Sequence, residues 1–182
     1  LHMTIHRKGE VFEQDFKQGI PQQALEVTGK TRKSGTTISF APDPSIFTET
    51  VTFEYDYLAR RFKELAYLNP FITINFEDER TGVKETYHFE GGIKQYVGDM
   101  NKKQEIVQPY AFSAKIEDIE FDIAFMYNDG YEEKVASFVN NIRTPNGGTH
   151  EAGFRAALTR SISTYNSQNG SAKEKDTKIS GD

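Results

Sequence analysis

The chain has 182 residues, with 22 Lys and Arg against 27 Asp and Glu for a net charge of −5, and that length suits one domain or two small ones. It contains no Cys and no Trp, which excludes a disulfide scaffold, a thiolate nucleophile, cysteine zinc sites and cysteine-ligated clusters. No apolar run approaches the about 18 residues of a membrane span, no signal-peptide pattern opens the chain, and the acidic balance argues against a bulk electrostatic grip on nucleic acid. With 36% hydrophobic and 13% aromatic residues, the composition points to a soluble cytoplasmic α/β protein.

Leu1, Met3 and Ile5 alternate with His2, Thr4 and His6, the period-two pattern of a half-buried strand. Arg7-Lys8-Gly9-Glu10 is a turn, and residues 11–16 pair back as a hairpin. A start in mid-hairpin with no lead-in sets the expectation of a fragment of a larger protein. Gly19-Ile20-Pro21 closes this unit, and 24–27 reads as a short strand before Gly29. Ser34-Gly35 releases a strand with Thr36, Ile38 and Phe40 on one face, which Pro42 and Pro44 end because neither donates to a ladder. From 52 to 68 the spacing turns helical: Tyr55, Leu58, Phe62 and Leu65 fall on one stripe, and Asn69-Pro70 stops it. Ile72, Ile74 and Phe76 mark a strand, Arg80-Thr81-Gly82 a turn, and 84–89 its partner.

Gly91-Gly92 divides the chain into 1–90 and 91–182. Behind it Ile93, Tyr96, Val97 and Met100 make a short amphipathic helix. Ile119, Phe121, Ile123, Phe125 and Tyr127 alternate up to Asn128-Asp129-Gly130, a hairpin signal that predicts a return strand over 131–142. The Thr144-Pro145-Asn146-Gly147-Gly148 loop leads to a helix from near Thr149 whose buried stripe is Phe154, Ala157, Leu158, Ser161, Ile162 and Tyr165. Residues 167–182 read as a polar loop or disordered tail. No internal repeat is present.

The chemical inventory is thin. His2 and His6 on one strand stand about 13 Å apart, too far to share a metal, and read as exposed strand histidines. His150 begins a helix, where its ring caps or packs. Glu77, Asp78, Glu79 and Arg80 sit at a hairpin tip and read as a solvated turn, as do Glu132 and Glu133 beyond the second hairpin signal. Walker, dinucleotide and nucleophile-elbow motifs are missing. Gly91-Gly92 and Gly147-Gly148 read as tight helix entries rather than anion cradles. Arg155 and Arg160 lie beside the last helix's stripe and project towards solvent or a partner. On the residues alone, no catalytic group and no metal site is assigned.

Four runs are specific in sequence and order: Ser34-Gly35-Thr36-Thr37-Ile38-Ser39-Phe40-Ala41-Pro42-Asp43, Phe89-Glu90-Gly91-Gly92-Ile93-Lys94, Phe138-Val139-Asn140-Asn141-Ile142-Arg143-Thr144, and Gly147-Gly148-Thr149-His150-Glu151-Ala152-Gly153-Phe154-Arg155-Ala156-Ala157-Leu158-Thr159-Arg160. Together, with the closing Ser180-Gly181-Asp182, they resemble the gyrase B family of bacterial type II topoisomerase ATPase subunits along the whole chain. The ATPase component of topoisomerase IV shares most of them. The resemblance implies an α/β (α+β) fold. Residues 1–90 would be the C-terminal half of a GHKL ATPase sheet-and-helix layer, and 91–182 the first part of a transducer domain of the ribosomal-protein-like β-α-β type.

The resemblance also implies ATP and Mg²⁺ in the intact protein. Its implied partners are DNA, gyrase A, a second copy of gyrase B in an A2B2 assembly, and aminocoumarin inhibitors. In the family the general-base Glu, the Mg²⁺-binding Asn, the adenine-reading Asp and the Gly-rich lid precede the matched segment, and the γ-phosphate Lys follows it. The isolated fragment is therefore expected to be inactive and to hold no cofactor. Thr36 matches a family Thr that fixes adenine through an ordered water, a role that suits a hydroxyl able to donate and accept. Ile38 matches an apolar residue of the pocket floor and Arg7 a rim Arg where aminocoumarins dock. Arg155 matches an Arg facing the cavity through which DNA passes, a site for phosphate contact without sequence reading; Arg160 is carried over beside it. A stand-alone interaction module on the same fold is the rival from another class.

Overall fold

The computed structural model describes residues 1–101, 107–130 and 133–170. The chain forms two compact units, Leu1–Glu54 and Tyr55–Asp182.

The first unit is an antiparallel sheet of β1 (His2–Arg7), β2 (Glu10–Lys17), β3 (Ile20–Pro21), β4 (Glu26–Lys30) and β5 (Gly35–Ser39). The strand order is β3-β2-β1-β5, with β4 also paired to β2. The β1–β2 turn is tight because Lys8 and Gly9 both take positive φ, 53° and 85°, the backbone a two-residue primed turn requires. β4 starts two residues later than the sequence suggests, and its ladder with β2 shifts register between Val11 and Phe12, which oppose Gly29 and Val27. Thr28 is the extra residue of that bulge.

In the second unit α1 (Tyr55–Leu68) packs on the hairpin of β6 (Ile74–Asp78) and β7 (Val83–Tyr87). Phe76 anchors the contact, stacked on Tyr55 at 5.0 Å and edge-on to Phe62 at 5.0 Å. The predicted apolar stripe is thus used. The most buried part of α1 is nevertheless Glu64, Ala66 and Tyr67, because a second face turns towards α2 (Gly92–Met100). Tyr67 is 1% exposed and lies between Phe89 at 3.7 Å and Tyr96 at 4.7 Å, all three rings stacked; its hydroxyl donates to Asp99. Packing across Gly91-Gly92 is therefore continuous. Gly92 has φ +54°, so Gly92→Ala is expected to lower stability by about 1–2 kcal/mol through left-handed backbone strain, read as a shift in denaturant midpoint.

Beyond α2 the hairpin differs from expectation. β8 (Tyr110–Ile116) pairs with β9 (Ile119–Phe125), and the turn lies at Glu117-Asp118, with Glu117 at φ 54°. No glycine marks this turn, which is why the sequence pattern passed over β8. The Asn128-Asp129-Gly130 signal is an Asx turn instead: Asn128 Oδ1 accepts from Gly130 N at 2.8 Å, and its amide donates to Asn101 Oδ1 at 3.2 Å. Of the predicted return strand, 131–132 lie outside the described residues and 133–137 are not strand. Only β10 (Phe138–Val139) and β11 (Ile142–Arg143) form, joined by Asn140 and Asn141 at φ 49° and 64°.

α3 (Thr149–Asn169) starts as expected and continues through 167–169, which the sequence assigned to the tail. Ser167 Oγ donates to Ser163 O at 2.8 Å and Asn169 Nδ2 to Tyr165 O at 3.2 Å, so these polar side chains fold back onto the carbonyl four residues earlier. Residues 171–182 of the tail lie outside the described residues. The helix meets β9 through Phe154 and Phe125, 6.0 Å apart. Its less exposed line is Glu151, Phe154, Arg155, Leu158, Ile162 and Asn166, whereas the predicted core positions Ala157, Ser161 and Tyr165 are exposed.

Candidate functional site

The sheet register decides which side chains of the first unit act together. Ile5 stands opposite both Phe12 and Thr36, and Met3 opposite both Gln14 and Ile38. Directly opposed residues of an antiparallel pair share a face, as do i and i+2 along each strand. Arg7, Thr36 and Ile38 therefore lie on one face with Met3, Ile5 and Phe12. Arg7 is one diagonal step from Thr36, about 7–8 Å between backbones. Ile38 and Phe40 are 56% and 60% exposed, so this face is an open apolar platform with a hydroxyl set in it and a cation at its end.

The opposite face holds the histidines. His2 Nδ1 meets Asp15 Oδ1 at 2.8 Å and His6 Nδ1 meets Thr31 Oγ1 at 3.2 Å. Gln23 donates to Asp15 Oδ2 at 2.9 Å, and with His2 it holds the Asp15 carboxyl below the usual carboxylate range. These contacts tie β1 to β2 and both strands to the loops on either side of β4.

In the second unit the arginines of α3 differ in their surroundings. Arg155 donates to both oxygens of Glu133, at 2.7 and 2.8 Å, and to Glu151 at 3.1 Å, rather than projecting freely as the sequence suggested. Arg155, then Ser137, lowers the Glu151 carboxyl's pKa by hydrogen bonding. Arg160 is exposed and forms no ion pair among the described residues. His150 Nε2 lies 3.2 Å from Thr144 Oγ1, and a Cβ on Gly148 would come within 2.8 Å of its ring. That glycine is the room His150 needs.

Two charged groups escaped the sequence reading. Asp78, assigned to a solvated tip, is 8% exposed and gripped by Arg80 at 2.6 Å; the Arg80 hydrogen bonds hold its pKa low. Glu64, a charge on an amphipathic helix, is 4% exposed, with Arg61 at 3.0 Å on one oxygen and Arg143 at 2.7 Å on the other. Arg143 is 79 residues away along the chain, so no local spacing could have signalled the pair.

The DNA gyrase B family matches residues 92–182. The DNA gyrase B protein of Campylobacter jejuni is 55% identical over all 182 residues, which span 24% of that protein. The B component of DNA topoisomerase 4 from Staphylococcus epidermidis is 43% identical over the whole chain, spanning 28% of its length. The chain thus covers about a quarter of the curated relatives it matches. Among solved structures, the 43K ATPase domain of Thermus thermophilus gyrase B, in complex with an aminocoumarin, superposes with a TM-score of 0.79 at 26% identity, over 93% of this chain and 47% of that one.

Proposed function

The chain belongs to the DNA gyrase B family, and from that membership we propose that it serves in the ATPase subunit of a bacterial type II topoisomerase, which couples ATP hydrolysis to DNA strand passage and negative supercoiling. The observation that carries this reading is the 55% identity to a gyrase B protein along the entire chain. Streptococcal gyrase B proteins and the topoisomerase 4 relative match about equally, at 41–43% and 43%, and the 55% match is what favours gyrase between the two. We place the end of the ATPase region at 1–90 and the start of the transducer at 91–182; the family match beginning at residue 92 supports that division. The proposed partners are DNA, gyrase A and a second copy of gyrase B. The proposed compartment is the cytoplasm; no described helix is long and apolar enough to cross a membrane.

The exposed face of the first unit suits a nucleotide. Ile38, Met3 and Ile5 offer a flat apolar surface for a purine ring, the Thr36 hydroxyl both donates and accepts, and Arg7 sets a positive charge at the edge. In this reading Thr36 and Ile38 line the adenine side and Arg7 forms the rim where an aminocoumarin docks. ATP, when bound, supplies the phosphoanhydride whose hydrolysis drives strand passage. Mg²⁺ is proposed for the intact protein, with no residue of this chain assigned to it. On α3, Arg160 is exposed for phosphate contact, whereas Arg155 must exchange a carboxylate for a phosphate to make one.

The test is ATP turnover by intact gyrase B reconstituted with gyrase A, with and without DNA. Turnover stimulated by DNA, blocked by an aminocoumarin and accompanied by supercoiling is the expected result. Thr36→Ala is expected to weaken ATP affinity about tenfold, the worth of one hydrogen-bond network at about 1–2 kcal/mol. Unchanged affinity removes Thr36 from the site, and absence of turnover in the wild type overturns the reading as a whole.

A further inference from the structure

The buried Glu64 carboxylate belongs to a longer arrangement. Arg61 and Arg143 each take one of its oxygens, and Arg61 also donates to the Asn141 carbonyl at 3.4 Å. α1 thereby holds the β10–β11 hairpin at its turn and at its last residue. Asn141 Nδ2 adds a contact to Asn69 Oδ1, just past the end of α1, at 3.4 Å. The residue after Arg143 is Thr144, whose amide donates to Ser137 O at 2.9 Å. Ser137 Oγ lies 2.8 Å from Thr144 Oγ1 and 3.1 Å from Glu151 Oε2. Glu151 in turn accepts from Arg155, which clamps Glu133.

Two sets of polar contacts, joined by the peptide bond between Arg143 and Thr144, therefore lead from α1 through the hairpin to α3. Their character changes along the way. Glu64 is almost fully shielded from water at 5% side-chain exposure, Glu151 is at 22% and Glu133 at 63%. The α1 end is a fixed anchor, since a shielded carboxylate cannot give up its cations without large cost. The α3 end is exchangeable, because a bidentate guanidinium on an exposed carboxylate is open to competition from a phosphate of matching geometry. The carboxylate-bound state of Arg155 is one arrangement, and a phosphate-bound state would be the second that coupling between distant groups requires.

We infer that the Glu64–Arg143 ion pair is the joint through which α3 and α1 are coupled, and that Arg143 is a positioning residue that transmits the state of Arg155 to the ATPase-region helix. This rests on the functional reading above. Arg143 touches neither nucleotide nor DNA in it; it sets where the hairpin, and with it the Ser137–Glu151 contact, stands against α1.

The experiment uses intact gyrase B with gyrase A and reads the ratio of DNA-stimulated to basal ATP turnover. Arg143→Gln is expected to leave basal turnover and the KM for ATP within twofold while the ratio falls at least fivefold. Arg143→Lys, which keeps the charge on Glu64, is expected to recover more than half of it. Ser137→Ala, which opens the chain at a partly exposed hydroxyl, lowers the same ratio by an independent break. An unchanged ratio in Arg143→Gln overturns the joint, even if the variant melts earlier, because a merely structural loss scales both rates together. Hydrogen exchange on the 182-residue chain separates this failure from failure of the topoisomerase reading. If the wild-type protein shows no DNA-stimulated turnover, loss of protection in Arg143→Gln that spans the last turns of α1 and the first turn of α3 still supports the joint. Loss confined to residues 138–143 overturns it.

Discussion

Tyr67→Ala is expected to lower the unfolding free energy by about 3–5 kcal/mol, the range for truncating a buried aromatic ring. Tyr67 is the one fully buried large side chain among the described residues, and its ring is the middle layer of the Phe89–Tyr67–Tyr96 stack. Alanine removes both ring contacts and leaves a cavity between α1 and α2 that neither helix can close without moving the other. Tyr67→Phe keeps the stack and loses only the hydrogen bond to Asp99, a charge-assisted contact worth about 1.5–3 kcal/mol. Denaturant unfolding of both variants checks the order. If the two fall equally, the ring layer contributes little and the account of the α1–α2 contact fails.

The same residue sets an alkaline limit. Burial first, and then the hydrogen bond to Asp99, raises the Tyr67 phenol well above its ordinary pKa; Tyr96 is also raised, by burial and then by the charge of Glu64. The neutral phenol is thus the form that folding favours. Below pH 10, where unfolded tyrosine is protonated too, this stabilisation is fully present. As pH rises past about 10 the unfolded chain ionises while folded Tyr67 does not, and stability falls by about 1.4 kcal/mol per pH unit from Tyr67 until its folded-state pKa is reached. Denaturation midpoints between pH 9 and 12 are expected to decline steeply for the wild type and less for Tyr67→Phe. Parallel declines would mean that other groups govern the alkaline transition.

Elements whose order is written in local patterns were legible in the sequence. The β1–β2 hairpin, α1, the β6–β7 hairpin, α2 and the start of α3 follow from alternation, helical spacing and Gly or Pro punctuation. What escaped depended on partners distant in the chain. The β8–β9 turn uses Glu117 where the pattern demands glycine, and the glycine signal at Gly130 served an Asx turn. Glu64 and Tyr67 sit off the apolar stripe of α1, where a charge and a hydroxyl read as solvent-facing. Only the arrival of α2 and of Arg143 buries them. The candidate nucleotide wall was legible as residues and as a face, since Thr36 and Ile38 are two apart on one strand. That Arg7 shares this face is a matter of register, which the structure supplies.

The graded exposure along the polar chain from α1 to α3 makes its two ends unequal towards dissolved ions. Counter-ions reach both members of the open Arg155–Glu133 pair and screen it, as they do surface pairs generally, whereas in the Glu64–Arg143 pair they reach the 41% exposed guanidinium but not the carboxylate, which is 5% exposed. Raising ionic strength therefore loosens α3 from its carboxylates while α1 still grips the hairpin. Salt acts on this molecule chiefly from one end.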